Sequence, residues 1–290
     1  MAENRKICVL GGDGRQSAVA ARLGRIYECA AWGIGNVPPC AVRCAGWRDA
    51  VRGADAVILP LPVTRGDGKL IGCDVGLGEI CAEMSRGSVL CGGMIPKFTE
   101  ELAKERGFGV FDYYGSEAVQ IRNAVPTAEG VIAALINELP VTVAGMTAAV
   151  TGYGRCARTL AQKLLLLGAD VYAAARSERD LAWAAADGCA AVDLADFLTY
   201  PPRCDAIVNT VPVRLFCEDV LSSLDGGTVI FDISSGCVGV DREAVKSLGI
   251  KLVPLPSLPG KTAPETAGAI IAEEIAKKLD KFFKEDGARR

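Results

Sequence analysis

Residues 147–177 hold the spacing with the clearest chemistry in the chain: TAAVTGYGRCARTLAQKLLLLGADVYAAARS. An apolar strand-like run, a glycine turn, an amphipathic run and a second apolar run follow in that order. Gly152, Gly154 and Ala157 fill the pattern G-x-G-x-x-G/A of a phosphate-binding βαβ unit. The first glycine permits a tight turn, and the second lets backbone approach a pyrophosphate. The small third residue lets the helix pack close to the strand. Ala157, Leu160, Ala161, Leu164 and Leu165 recur at the period that makes one buried helix face. Tyr153, Arg155 and Cys156 complete the turn, whose free N–H groups and positive helix end suit a diphosphate. A helix–strand turn holding no ligand is the bland alternative, and the flanking strands weigh against it.

The second strand, residues 169–175, ends at Arg176 and Ser177. A site that prefers NAD carries Asp or Glu here for the ribose 2′-hydroxyl. Arg176, with Ser177 and Arg179, instead offers charge-assisted hydrogen bonds to a 2′-phosphate. NADP is therefore the expected cofactor, with NAD the less favoured one. Two further strand ends carry polar loops: Asn209, Thr210, Val211 and Pro212 after one, Asp232, Ser234 and Ser235 after the next. Their backbone and hydroxyl groups are placed to hydrogen-bond a nicotinamide carboxamide.

A looser version of the motif opens the chain. Residues 7–10 read as a buried strand, followed by Gly11, Gly12, Asp13, Gly14, Arg15 and Gln16. This is not the dinucleotide spacing, and Asp13 would repel a pyrophosphate where Arg15 would attract one. A helix start with Arg15 and Gln16 suits a carboxylate as well as a phosphate; a capped turn with a solvated arginine is the alternative. The strand ending near Leu59 runs into a proline-rich loop in which Thr64, Arg65 and Lys69 are candidate carboxylate contacts or solvated turn residues. In residues 126–130, PTAEG, Thr127 and Glu129 either face an interdomain cleft or simply occupy the first turn of a helix, where Glu129 suits the positive helix end.

The elements that must position these groups alternate. Strands are expected at residues 41–44, 56–59, 88–91, 109–111, 190–192, 205–209, 228–232 and 251–253. Helices are expected at residues 16–27, near Asp49, and at 77–84, 98–106, 126–139 and 265–283. Strand–helix alternation of this kind indicates an α/β protein of two Rossmann-like parallel-sheet domains with a cleft between them. The expected division is residues 1–125, a connecting helix 126–139 begun by Pro126 and stopped by Pro140, and a nucleotide domain 140–263. The proline-rich stretch 254–264 crosses back, and a terminal helix over 264–286 packs on the first domain. The tail, residues 286–290, is expected to fray.

With 290 residues, half of them hydrophobic, the chain is long enough for two cores. A formal net charge of −3 gives no nucleic-acid-binding field. No window nears the roughly 18 apolar residues of a membrane span, and the start is too polar for a signal peptide. A cytoplasmic protein is expected. Twelve cysteines without a C-x-x-C pair read as reduced, mostly buried thiols, and no metal site is expected. There is no histidine, so any proton transfer falls to a carboxylate, Lys, Tyr, Cys or water.

The order of motifs resembles the A subunit of bacterial dipicolinate synthase, over nearly the whole chain. The resemblance is carried by Gly11, Gly12 and Asp13 with Arg15 and Gln16; Ile58, Leu59 and Pro60; and Pro126, Thr127, Glu129 and Gly130. It continues through Gly152 to Arg155, Ala174 to Ser177, and Asn209, Thr210 and Pro212. Leu258, Pro259 and Gly260, then Ala263, Pro264, Thr266, Ala267 and Gly268, complete it. The PTAEG and LPG-x-x-AP-x-TAG patterns are more specific than the glycine fingerprint. Residues 65–76 depart from the pattern. The resemblance implies NADP-dependent oxidation of a hydroxytetrahydrodipicolinate, or the dihydrodipicolinate derived from it, to pyridine-2,6-dicarboxylate. It also implies a separate flavoprotein-like B subunit and a role in the mother cell of a spore-forming bacterium. Arg15, Lys261 and the helix start near Asp13 then become candidate carboxylate holders. Glu129, Lys261 and Asp13 become candidate proton acceptors, in that order.

Two other classes stay open. One is a two-domain dehydrogenase of 2-hydroxy or 2-amino acids, which the missing histidine disfavours. The other is a cofactor-binding regulatory subunit completed by a partner. The sequence is compatible with a homo-oligomer.

Overall fold

The computed structural model describes residues 5–287; the expected tail falls partly outside them, at residues 288–290. The chain forms two compact units, Met1–Asn123 with Ala263–Arg290, and Ala124–Thr262.

The first unit runs β1 (Lys6–Leu10), α1 (Gly14–Leu23), β2 (Glu28–Trp32), β3 (Ala41–Arg43), α2 (Trp47–Val51), β4 (Ala56–Ile58), α3 (Leu77–Glu83), β5 (Val89–Gly92), α4 (Phe98–Arg106) and β6 (Gly109–Asp112). Its six strands are parallel in the order β3-β2-β1-β4-β5-β6. Apolar side chains leave both faces of the sheet. One face packs on α1, and the other on α2, α3 and α4. Helix α1 stops four residues earlier than its apolar pattern suggests. Gly24 caps it, its N–H reaching the carbonyl of Ala20 at 2.9 Å. Ile26, expected on the buried face, is 54% exposed. Residues 28–32, ECAAW, then form β2, a strand that residue types alone did not mark.

Helix α5 (Glu117–Glu138) follows and runs through Pro126 rather than starting at it. The proline forfeits one helical hydrogen bond, to the carbonyl of Arg122. Burial of Ala128, Val131 and Leu135 in the second unit's core outweighs that loss.

The second unit runs β7 (Thr147–Thr151), α6 (Arg155–Leu166), β8 (Asp170–Ala175), α7 (Glu178–Ala186), β9 (Ala190–Asp193), α8 (Leu194–Thr199), β10 (Ala206–Asn209), α9 (Glu218–Ser222), β11 (Val229–Asp232), α10 (Arg242–Leu248), β12 (Lys251–Pro254) and α11 (Leu258–Thr262). All six strands are again parallel, in the order β9-β8-β7-β10-β11-β12. Counting outward from the first strand, this order repeats that of the first unit. The proline-rich crossing contains α11, a short helix the sequence did not mark.

Helix α12 (Pro264–Gly287) returns to the first unit and packs on α1. Ile271, Ala272, Ile275 and Leu279 are buried there with Val19 and Leu23. At Gly268 the helices come so close that a side chain would meet the backbone of Arg15.

Candidate functional site

The fingerprint turn of the second unit sits at the carboxyl end of β7. Gly152 has φ +82°, and a β-carbon there would lie 2.8 Å from Thr210 Oγ1, so the position accepts only glycine. Its N–H donates to the carbonyl of Ala174 at 2.7 Å, which ties the turn to β8. Gly154 is the N-cap of α6 and supplies no side-chain cap. A β-carbon on Gly154 would meet nothing within 4 Å. The N-cap position of α6 is therefore unobstructed, with Arg155 exposed and Cys156 half-buried in the first turn. Burial pushes the Cys156 thiol up, partly offset by Arg155 and a hydrogen bond with Thr127. Tyr153 points the other way: it is buried, and its hydroxyl donates to Asp187 Oδ2 at 3.0 Å. What Tyr153 leaves for a ligand is its backbone.

Below the edge of β7, β10 and β11 lies a buried polar network. Thr151 Oγ1 donates to Asn209 Oδ1 at 2.7 Å, and Asn209 Nδ2 donates to Asp232 Oδ1 at 3.0 Å. Asn209 Oδ1 also accepts from the Val211 N–H at 3.2 Å, and Asp232 Oδ1 accepts from the Ser234 N–H at 3.0 Å. Thr210 Oγ1 donates to the Thr151 carbonyl at 2.7 Å. Asn209 and Asp232 thus spend their side chains on shaping the two loops that follow them. Buried polar groups linked in this way fix one loop conformation. The exception is the Ser234 hydroxyl, buried and without a hydrogen-bond partner. Ser235, next to it in sequence, is exposed; in the loop after β10, Pro212 is exposed and Val211 half-buried.

At the end of β8, Arg176 is exposed and forms no ion pair among the described residues. Ser177 caps α7, accepting the Asp180 N–H at 3.1 Å, and Arg179 pairs with Asp180 at 3.3 Å. Glu129 is exposed and pairs with Lys163 of α6 at 3.0 Å. Lys261 is exposed on α11, near enough to Cys237 of the loop after β11 to lower its thiol, against the larger effect of burial. The two most distinctive sequence patterns meet here. A β-carbon on Gly130 would stand 2.7 Å from Thr262 Oγ1 and 3.0 Å from Leu258. PTAEG and LPGKT are thus the two sides of one helix crossing.

In the first unit, Asp13 caps α1 through its Oδ1, which accepts the Arg15 N–H at 3.1 Å. The Arg15 guanidinium grips the same carboxylate with Nε at 2.8 Å and Nη2 at 2.7 Å, and Nη2 also donates to the Leu61 carbonyl at 2.7 Å. Burial raises the Asp13 carboxyl, but the hydrogen bonds and charge of Arg15 outweigh it and hold it below the usual 3.8. Arg15 is buried and its fork is committed inside the protein, so it is not the solvated arginine of the capped-turn alternative. Gln16 is also buried, its Nε2 donating to the Leu10 carbonyl at 3.4 Å and its Oε1 unpartnered. Thr64 is half-buried in the loop after β4. Among the described residues, no group of His, Cys, Asp and Glu is arranged to hold a metal ion. No helix there is long and apolar enough to cross a membrane.

The model for the N-terminal domain of the dipicolinate synthase A subunit matches residues 6–114. Over 292 residues the chain is 29% identical to the dipicolinate synthase A subunit of Bacillus subtilis (strain 168), covering 97% of this chain and 98% of the relative. The crystal structure of the A subunit from Bacillus halodurans superimposes with a TM-score of 0.85 at 26% identity, covering 96% of this chain and 99% of that one. That from Bacillus subtilis gives 0.84 at 28% identity, covering 98% and 99%. Over nearly its whole length the chain is thus similar to dipicolinate synthase A subunits. Its residues 123–248 match the NAD binding domain of D-isomer specific 2-hydroxyacid dehydrogenases, so the chain carries a dehydrogenase-type nicotinamide nucleotide domain. A transhydrogenase from Sinorhizobium meliloti shares the fold, with a TM-score of 0.67 at 15% identity over 96% of this chain and 94% of that one.

Several contributors escaped the sequence reading. Thr151 anchors Asn209 from a neighbouring strand, and Leu61 gives Arg15 its carbonyl. Gly239 leaves room for the Asn209 amide, which would stand 1.9 Å from a β-carbon there. Each acts through a partner many residues away, which spacing along the chain does not reveal.

Proposed function

We propose that this chain is the nucleotide-binding, oxidising component of a dipicolinate synthase. It would convert dihydrodipicolinate, formed from hydroxytetrahydrodipicolinate by loss of water, into pyridine-2,6-dicarboxylate. The observation that carries this reading is the N-terminus of α6 behind Gly152 and Gly154, which no side chain caps and where a β-carbon on Gly154 would meet no atom within 4 Å. When bound, NADP supplies the hydride acceptor. The substrate gives up one hydride and one proton, and the ring becomes aromatic.

The chain's own residues hold and orient. Gly152, Gly154, Arg155, Cys156 and the Tyr153 backbone would receive the diphosphate. Arg176, exposed and unpaired among the described residues, supports NADP over NAD, with Ser177 and Arg179 flanking it. The loops shaped by Asn209 and Asp232 would present Thr210, Val211, Pro212, Ser234 and Ser235 to the nicotinamide. The unpartnered Ser234 hydroxyl is a hydrogen-bond capacity that the carboxamide can meet.

Thr64, Thr127, Arg15 and Gln16 remain the substrate group of this proposal, with Arg15 acting through the Leu61 carbonyl that it holds. Glu129 and Lys261 stand ahead of Asp13 as proton acceptors, because a carboxyl held low by Arg15 is a weak base. The relatives are named as one lettered component of a synthase, which supports a separate B subunit as partner, proposed to be flavoprotein-like. The setting proposed is the cytoplasm of the mother cell of a spore-forming bacterium.

The test is NADPH formation from the hydroxytetrahydrodipicolinate by the purified chain, with and without that partner. Turnover by the chain alone is expected; none in either condition sinks the assignment. Cofactor choice is read separately from Arg176→Asp. Loss of a charge-assisted phosphate contact worth about 1.5–3 kcal/mol should shift the NADP-to-NAD affinity ratio by roughly ten- to more than a hundredfold. An unchanged ratio removes Arg176 from that role.

A further inference from the structure

The two units repeat one strand order, so the first unit has its own groove where the second would take a dinucleotide. The correspondence extends to hydrogen bonds. Gly11 donates to the carbonyl of Trp32 at the end of β2, as Gly152 donates to that of Ala174 in β8. Beyond this point the units differ. The loop between β10 and α9 covers residues 210–217, whereas that between β4 and α3 covers residues 59–76.

The longer loop fills the groove. Its tip, residues 70–73, lies between the glycine turn and the end of β2. The Gly12 N–H, which faces the position of a phosphate in such a turn, donates to the Ile71 carbonyl at 2.8 Å. Leu70 is buried against Gly11, and Gly72 packs on Gly12. Cys73 Sγ sits where a β-carbon on Gly33 would be only 2.4 Å away. Gly33 directly follows β2, the place taken in the second unit by the 2′-phosphate candidates after β8.

The tip is braced from behind. Ile71 N–H donates to the Val63 carbonyl at 3.0 Å, Leu70 N–H to the Val75 carbonyl at 2.8 Å, and Lys69 pairs with Asp74. The helix end is occupied as well. Where α6 starts at a bare glycine, α1 starts at Asp13, whose carboxylate already accepts a first-turn N–H.

We propose that residues 70–73 and Asp13 are built-in replacements for the ribose and phosphates of a second dinucleotide, and confine the cofactor to the second unit. The tip supplies a carbonyl for the glycine N–H and apolar bulk for the groove; Asp13 supplies the anion at the helix end. The inference rests on the proposed function only in its choice of NADP as probe.

The test uses the whole chain and hydrogen exchange with a calorimetric titration. Without ligand, the Gly12 amide should exchange slowly and the Gly154 amide fast. NADP should saturate at one per chain and slow exchange around residues 152–158 and 176–180, leaving residues 11–16 and 68–76 unchanged. Gly33→Ala, which pushes on Cys73, should speed exchange at residues 70–73 while NADP affinity stays within about twofold. Two NADP per chain, NADP-dependent protection of residues 11–16, or a loss of NADP affinity beyond about tenfold in Gly33→Ala would each overturn the proposal. If neither NADP nor NAD binds, the proposed function fails. The slow Gly12 amide of the free chain then still supports the seating of the tip, and a fast one refutes it.

Discussion

Asp13 and Arg15 stand two residues apart and satisfy each other, and the geometry makes Arg15 a strap between the glycine turn and the loop after β4. Arg15→Ala would leave the Asp13 carboxylate without its fork and the Leu61 carbonyl without its donor. The expected cost is about 2–3 kcal/mol, read as a lower midpoint in urea. The pH dependence has a definite sign. Asp13 is held below its ordinary 3.8, so its contribution is complete above that value and drains away as pH falls further. Arg15→Ala should therefore flatten the acid limb of the stability curve and leave its slope near neutrality unchanged. The residue types Asp and Arg were legible in the sequence as chemistry, but not their pairing. A spacing of two residues places no side chain; the cap geometry of α1 does. The same holds for Glu129, whose partner Lys163 comes from the next helix.

Elements with strong periodicity and clear punctuation were readable: α4 matches its expected bounds, and the strands of the second unit fall within a residue or two of theirs. Strand β2 was not readable, because ECAAW lacks the β-branched residues of its neighbours and the apolar period of α1 runs on past Gly24. Nor was the interior proline of α5, since proline is as acceptable at a helix start as it is costly inside one. The crossing of α5 and α11 explains why PTAEG and LPGKT carry so much of the resemblance: each leaves space for the other at Gly130. Gly130→Ala should cost roughly 1–3 kcal/mol by overpacking. Adding Thr262→Ala, which removes the nearest atom, should recover part of that loss, measured as non-additivity in a double-mutant cycle. Simple additivity would mean that the crossing has relaxed by another route.

For the whole molecule, two cores mean two accountings of stability. NADP at about a hundred times its Kd should add roughly 2.7 kcal/mol to the unit that binds it. In calorimetry the transition of the second unit should move up while that of the first stays. Equal movement of both would argue against a nucleotide site confined to residues 124–262. The first unit has a different dependence, on α12. Ile271, Ile275 and Leu279 are fully enclosed in its core, and burying each side chain stabilises by about 1.5–3 kcal/mol. Their sum is comparable to the whole 5–15 kcal/mol of a typical domain.

That dependence sets an order on synthesis. A ribosome releases the amino-terminal residues first, yet their core lacks its covering helix until the last residues appear. At roughly 5–20 residues per second, the entire second unit is made in the interval. The first unit should therefore complete its core only after the second unit has been made. Nascent chains arrested just short of α12 should resist protease over residues 124–262 and be cut within residues 5–123. Resistance in both would show that the first core closes without its final helix.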